Sequence, residues 1–241
     1  MTATPETLAL FDLDGTLLQA RDELHHAAFD HALRVVFGAA ASVSSLDKAA
    51  ALDRILVRQA ATAAGVEPSR IDADTERVMA VMGRYYALRV GPGDRVDRVL
   101  PGVAELLRRL RAIGIPVAVA TGSARLVAQA KLHAAGLAEY LPSGAFGDEA
   151  NDRPALLRQA IVDAGAVYGR RFLAGKAIVI GDTPGDISAA RAVGARVLAV
   201  ATGRFSVDEL DEHGPDFSFP HLNSPDAVIR AIRGDTMATA Q

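Results

Sequence analysis

Two aspartates stand two residues apart in FDLDGTL, residues 11–17, at the end of an apolar run, and two more stand four apart in GDTPGD, residues 181–186. If the strands that carry them are neighbours, Asp12 and Asp14 meet Asp182 and Asp186. Two like charges about 4 Å apart repel by roughly 4 kcal/mol at an effective dielectric near 20, so such a group calls for a cation. Oxygen donors without histidine or cysteine favour a hard ion. A few carboxylates that leave room for waters and a phosphate oxygen favour Mg²⁺ over Ca²⁺. A carboxylate beside that ion can act as a nucleophile, and a second can carry a proton. Each stretch also has a plain structural use. Asp-x-Asp-Gly, with Gly15 at positive φ, suits a solvated turn, and the later pair suits the start of the following helix.

Other residues suit a phosphoryl group. Thr121, in VATGS (residues 119–123), offers a hydroxyl, and the amides of Gly122 and Ser123 stand where a helix begins, a ready anion site. Thr121 would equally serve to cap that helix. Arg153, in NDRPAL, opens another helix and brings a charge suited to a phosphoryl group in transfer. Lys131 is the competing cation, although it lies within a continuous helical pattern. His25 and His26 follow the first motif; adjacent helical residues point apart, so at most one is expected to face a substrate, with His25 the candidate. Arg21 and Lys48 are expected to be solvated, and Tyr85, Tyr86, Met79 and Met82 to be core.

These residues need elements to hold them. Residues 8–13 read as a short buried parallel strand followed by a turn. From 22 to about 89 the apolar residues recur at three- and four-residue spacing, with breaks at Gly38, Gly65 and Pro68, which predicts three or four helices and no strand. Ser44 with Asp47 three residues later predicts a helix start. Residues 91–95, GPGDR, predict a hinge. Beyond it the pattern alternates: helix over 100–114, strand and turn over 115–123, helices over 124–136 and 153–169, strand and turn over 177–186, helix over 187–194 and strand over 195–203. Such alternation predicts an α/β fold, a Rossmann-like parallel sheet whose sites lie at the carboxyl ends of its strands. Asp12, Thr121 and Asp182 all fall at that end. The division expected is a core of residues 1–20 and 92–241 with a separate helical cap, 21–91, inserted after the first strand. The last residues, 234–241, are expected to fray.

The chain has 241 residues, half of them hydrophobic, enough for a sizeable core. A net charge of -3, from 26 basic and 29 acidic residues, offers no footprint for nucleic acid or an anionic membrane. Without cysteine there is no disulfide, thiolate zinc site or cysteine nucleophile. The first residues lack a basic leader pattern, and no apolar run approaches the roughly 18 residues that span a bilayer. A cytoplasmic protein acting on a small phosphorylated metabolite, as monomer or homodimer, is the expectation.

FDLDGTL, VATGS and GDTPGD in this order, with a helical insert after the first, resemble the haloacid dehalogenase superfamily, and within it the helical-cap phosphatases that include phosphoglycolate phosphatase and β-phosphoglucomutase. The resemblance covers essentially the whole chain. It implies that Asp12 is the nucleophile that becomes an aspartyl-phosphate, that Asp14 protonates the leaving oxygen and later activates water, and that Thr121 and the following amides hold the phosphoryl oxygens. It implies Mg²⁺ bound by Asp12, the carbonyl of Asp14 and Asp182, with Asp186 acting through water or as an orienting group. Asp14 favours phosphate chemistry, because the family's dehalogenases lack an aspartate there and its pump ATPases have threonine. Two departures stand out. The family's lysine-proline is here Arg153-Pro154, and the glycine- and hydroxyl-bearing cap stretch is here AAALDR, residues 49–54. The expected activity is hydrolysis of a small phosphomonoester, a sugar phosphate or a phosphoglycolate-like compound. Alternatives are a sugar phosphomutase and a non-catalytic phospho-ligand binding or signalling module.

Overall fold

The computed structural model describes residues 6–38, 41–43, 46 and 51–235. The predicted cap at Ser44 and Asp47, Lys48, the start of AAALDR and residues 236–241 of the tail lie outside the described residues.

Six parallel strands form one sheet in the order β3-β2-β1-β4-β5-β6. β1 (Leu8–Phe11) lies between β2 (Val117–Ala120) and β4 (Ala177–Gly181), with β5 (Arg196–Val200) beyond β4. All four residues of β1 are buried. Ala9 and Phe11 face one apolar layer with α4 (Val103–Ala112), part of α5 (Arg125–Ala134) and α9 (Pro225–Arg233); Leu8 and Leu10 face the other, with α6 (Arg153–Tyr168) and α7 (Pro184–Val193). α4 shows why these segments are helical: Val103, Leu106, Leu107 and Leu110 make a buried stripe at the helical period, each contributing about 1.5–3 kcal/mol by leaving water.

The edge strands β3 (Gly144–Ala145) and β6 (Phe217–Phe219) and the short α8 (Val207–Asp211), together with α9, add to the elements predicted. Two- and three-residue strands are too short to show a period. α7 starts at Pro184 rather than 187, because Thr183 and Asp186 form a reciprocal capping box around it.

Residues 22–89 form three helices among the described residues: α1 (Glu23–Phe37), α2 (Asp53–Ala63) and α3 (Pro68–Ala87). Asp22 caps α1 by accepting from the amides of Leu24 and His25, and Gly38 closes it in the left-handed conformation. These helices share an apolar cluster containing Phe29, Leu33, Met79, Met82 and Tyr86, and that cluster extends into the core through Ala124 and Val127 of the α5 region. α2 has no side-chain cap. Two of its first N–H groups, unpaired in any helix, donate to core carbonyls instead: Asp53 to Gly122 at 2.8 Å and Arg54 to Gly147 at 3.4 Å. Among the described residues no helix is long and apolar enough to cross a membrane.

Candidate active site

β1 and β4 are adjacent, and the amide of Asp12 donates to the carbonyl of Ile180, so Asp12 and Asp182 leave neighbouring strands side by side. This is where the sheet order reverses, the crevice such folds use for ligands. Asp12, Asp182 and Asp186 are buried, each with a carboxylate oxygen within 4.8 Å of the others. Asp182 accepts from Thr16 Oγ1 at 3.3 Å, and its carboxylate lies flat against Gly15, whose φ is 95°; a Cβ there would collide with it. The turn reading and the site reading of Asp-x-Asp-Gly are therefore both satisfied by one glycine.

Asp186 is the most heavily engaged carboxylate. One oxygen accepts from the amide of Thr183 at 3.1 Å and its hydroxyl at 2.7 Å; the other accepts from Arg153 Nε at 2.9 Å and from Nη2. Arg153, buried at the first position of α6, also pairs with Asp12 at 3.0 Å. Burial works against the Arg153 cation, and Asp186 and Asp12 outweigh it.

Burial pushes the Asp12 carboxyl up to about 7; Arg153 opposes this, and the charges of Asp186 and Asp14 add to it. Asp182 is pushed up to about 8 by burial, with the charges of Asp12 and Asp186 adding to it. Three buried carboxylates, two of them pushed toward the protonated form chiefly by burial, fit a small hard cation such as Mg²⁺. Asp12 and Asp182 retain oxygens for it, whereas Asp186 already has four donors and suits an orienting role.

Asp14 departs from the expected four-carboxylate group. Its side chain turns to the other side, where Lys131 Nζ donates to its two oxygens at 2.8 and 2.7 Å and Ser123 Oγ donates at 2.9 Å. The reason is α5: a lysine that is 1% exposed needs an anion, and of the two carboxylates within reach Asp14 is nearer, at 2.7 Å, with Asp22 at 3.9 Å. Arg153 and Lys131 are thus not rivals for one position; one cation serves Asp12 and the other serves Asp14.

Directly after β2, Thr121 is buried and its hydroxyl oxygen accepts from the amide of Ser123 at 3.2 Å. Thr121 does not cap α5; that position is Ala124. With Ser123 N–H and Oγ both engaged, the Gly122 amide is the one of the two predicted anion donors that has no partner among the described residues. Gly122 has to be a glycine because the carbonyl of Ala51, in the segment leading to α2, lies where its Cβ would be.

A cavity of about 720 Å³ opens over these groups, walled by Asp12, Asp14, Thr121 and Arg153 from below and by α1 and α2 from above. His25 and His26 both line it, where at most one is expected to face a substrate. His25 is buried, with Nε2 3.0 Å from Asp53 Oδ2 and Nδ1 3.2 Å from Lys131 Nζ. Arg21 is exposed and also lines the cavity. Tyr86 and the two methionines are core as expected; Tyr86 also donates from its hydroxyl to Asp22 at 2.6 Å. Burial pushes the Asp22 carboxyl up, and Lys131, Tyr86 and Arg95 outweigh it to leave it below the usual carboxylate range.

Sequence reasoning did not single out Asp22, Asp53 or Arg95. Asp53 carries a faint signal, a lone acid at the end of an alanine-leucine run, and the structure buries it. Asp22 and Arg95 sit in the two segments that join the insert to the sheet.

The haloacid dehalogenase-like hydrolase family matches residues 7–194. A phosphoglycolate phosphatase of Cupriavidus necator is 33% identical over 207 residues, 83% of this chain and 82% of that protein. One of Rhodospirillum rubrum is 32% identical over 203 residues, 80% and 79% of the two. Among solved structures, a β-phosphoglucomutase from Clostridium difficile superposes with a TM-score of 0.69 over 95% of this chain and 97% of that one, at 15% identity, a likeness of fold. With the matched region running from β1 through α7 and its acidic motifs meeting at the switch of the sheet, the chain belongs to the haloacid dehalogenase-like hydrolase family and is a phosphatase of that family.

Proposed function

We propose that this chain is a Mg²⁺-dependent phosphatase that hydrolyses a small phosphomonoester, a sugar phosphate or a phosphoglycolate-like compound, through an aspartyl-phosphate on Asp12. Residues 21–91 act as the cap over a core of 1–20 and 92–241. The observation that carries this reading is the placement of Asp12 among Asp182, Asp186 and Arg153 while Asp14 is held apart, on a separate cation. Two carboxylates in two environments suit two roles.

In the first step an Asp12 oxygen attacks phosphorus, the bond to the ester oxygen breaks, and Asp14 gives that oxygen its proton. In the second, Asp14 takes a proton from a water as the water's oxygen attacks phosphorus, and the bond to Asp12 breaks to release inorganic phosphate. The Thr121 hydroxyl and the Gly122 amide hold phosphoryl oxygens, and Arg153 keeps Asp12 oriented and offsets charge as it builds. Mg²⁺, held by Asp12, Asp182 and the Asp14 carbonyl with Asp186 orienting, would supply positive charge that lets a carboxylate and a phosphate dianion approach. The names of the relatives make phosphoglycolate a member of any substrate panel. Purified protein with Mg²⁺ is expected to release phosphate from p-nitrophenyl phosphate and from some of a set of sugar phosphates and phosphoglycolate, and Asp12→Asn to abolish this. Turnover that survives Asp12→Asn overturns the covalent mechanism.

A further inference from the structure

We infer that Asp53, on the helical insert, is a positioning residue for Asp14, acting through His25 and Lys131. The inference rests on the reading of Asp14 as the proton carrier. Lys131 can only donate hydrogen bonds. Its contact with His25 Nδ1 at 3.2 Å therefore makes that nitrogen an acceptor and places the His25 proton on Nε2, which donates to Asp53 Oδ2 at 3.0 Å. The same Asp53 oxygen accepts from the amide of Ala124, at the start of α5, at 2.7 Å. Every link has its donor and its acceptor: Asp14, Lys131, neutral His25, Asp53, Ala124. All four side chains in the chain lie in the interior or line the cavity, and Asp53, His25 and Lys131 are each under a tenth exposed.

The path crosses twice between the two parts of the molecule. Asp14, Lys131 and Ala124 belong to the sheet layer and its helices, His25 and Asp53 to the insert. It therefore forms only with α2 seated, and the seat is made of backbone: Asp53 N–H on the Gly122 carbonyl, Arg54 N–H on that of Gly147, and Arg54 Nη1 on that of Asp148 at 3.3 Å. Without Asp53, the Nε2–H of His25 loses its acceptor and the ring its anchor, and Lys131 then loses the fixed partner that leaves its remaining protons directed at Asp14. The helical layer thus closes the cavity and aligns the proton carrier by one set of contacts.

The test separates proton transfer from the rest of the reaction by leaving group. p-Nitrophenolate departs without a proton, whereas an alkoxide does not. Asp53→Ala is expected to lower kcat/KM for an alkyl phosphate, glycerol 1-phosphate, by about 30-fold or more, within the range of general acid catalysis, and for p-nitrophenyl phosphate by less than about 3-fold. Asp53→Asn, whose amide oxygen can take both hydrogen bonds, should restore the alkyl activity to within about 3-fold of the parent. An equal loss on both substrates, or no loss on either, overturns the inference. Amide hydrogen exchange on the full chain supplies a readout that needs no turnover: Asp53→Ala should deprotect residues 121–125 and leave α9 unchanged. Unchanged protection at Ala124 also overturns the inference. Asp14→Asn serves as the control, because if it spares the alkyl phosphate, Asp14 is not the proton carrier and the fault lies in the proposed function, with exchange still deciding whether Asp53 seats α5.

Discussion

At the scale of the residue, the site is a matter of which charge each carboxylate meets. Asp12 and Asp186 are buried and share Arg153, whereas Asp14 shares Lys131 and keeps 24% of its side chain in contact with solvent. Removing one partner of a fully buried pair leaves an uncompensated charge, which costs about 3–5 kcal/mol. Arg153→Met is therefore expected to destabilise the metal-free protein by that amount in urea unfolding at pH 8. Lys131→Met should cost clearly less, because water can reach Asp14. Equal losses would show that the two pairs are equally dry. The motif residues were legible because each is a charged or hydroxyl-bearing side chain at the end of an apolar run. The partition between the two cations was not, since a lysine in the middle of a helix looks the same in the chain whether it faces water or an aspartate.

At the scale of the element, the working parts are strand ends and helix starts. β1, β2 and β4 place Asp12, Thr121 and Asp182, and the first turns of α6 and α7 place Arg153 and Asp186. α2 begins without a side-chain cap because core carbonyls take its amides, with the Ala51 carbonyl filling the space beside Gly122. Gly122→Ala should unseat α2: we expect kcat/KM to fall by more than about 10-fold on every substrate, with the melting temperature lowered by only a few degrees, since the apolar layers on the sheet are untouched. A mutant as active as the parent would mean that α2 does not rest on this glycine during turnover. Helix existence was readable from periodicity. What starts α2 was not, because its partners are backbone groups some 70 and 90 residues further along.

At the scale of the whole molecule, the fold gathers carboxylates that repel one another and holds them by burying them. A carboxyl whose pKa is raised by folding binds its proton more tightly folded than unfolded, so its contribution is full below the unfolded carboxylate pKa and is lost as pH rises through the folded one. With Asp12 at about 7 and Asp182 at about 8, the metal-free protein should lose stability between pH 5.5 and 8.5. A cation replaces those protons, so the rise in melting temperature on adding Mg²⁺ should be small at pH 5.5 and reach about 5–10 °C at pH 8.5 with the ion at about 100 times its Kd. A rise that does not depend on pH would place the bound ion away from these two aspartates.

The chain alone determined that the fold is α/β, that a helical insert follows the first strand, and that Asp12, Thr121 and Asp182 share one end of the sheet. Those conclusions follow from local period and from the parallel topology that strand-helix alternation imposes. Only the tertiary structure decided that Asp14 leaves the acidic group for Lys131, that Arg153 joins Asp12 to Asp186, and that Asp53 reaches from the insert to His25 and Ala124. Each of these is a pairing between elements distant in sequence. Burial sets such pairings, because a charge removed from water must find its partner wherever the packing of the helices brings one.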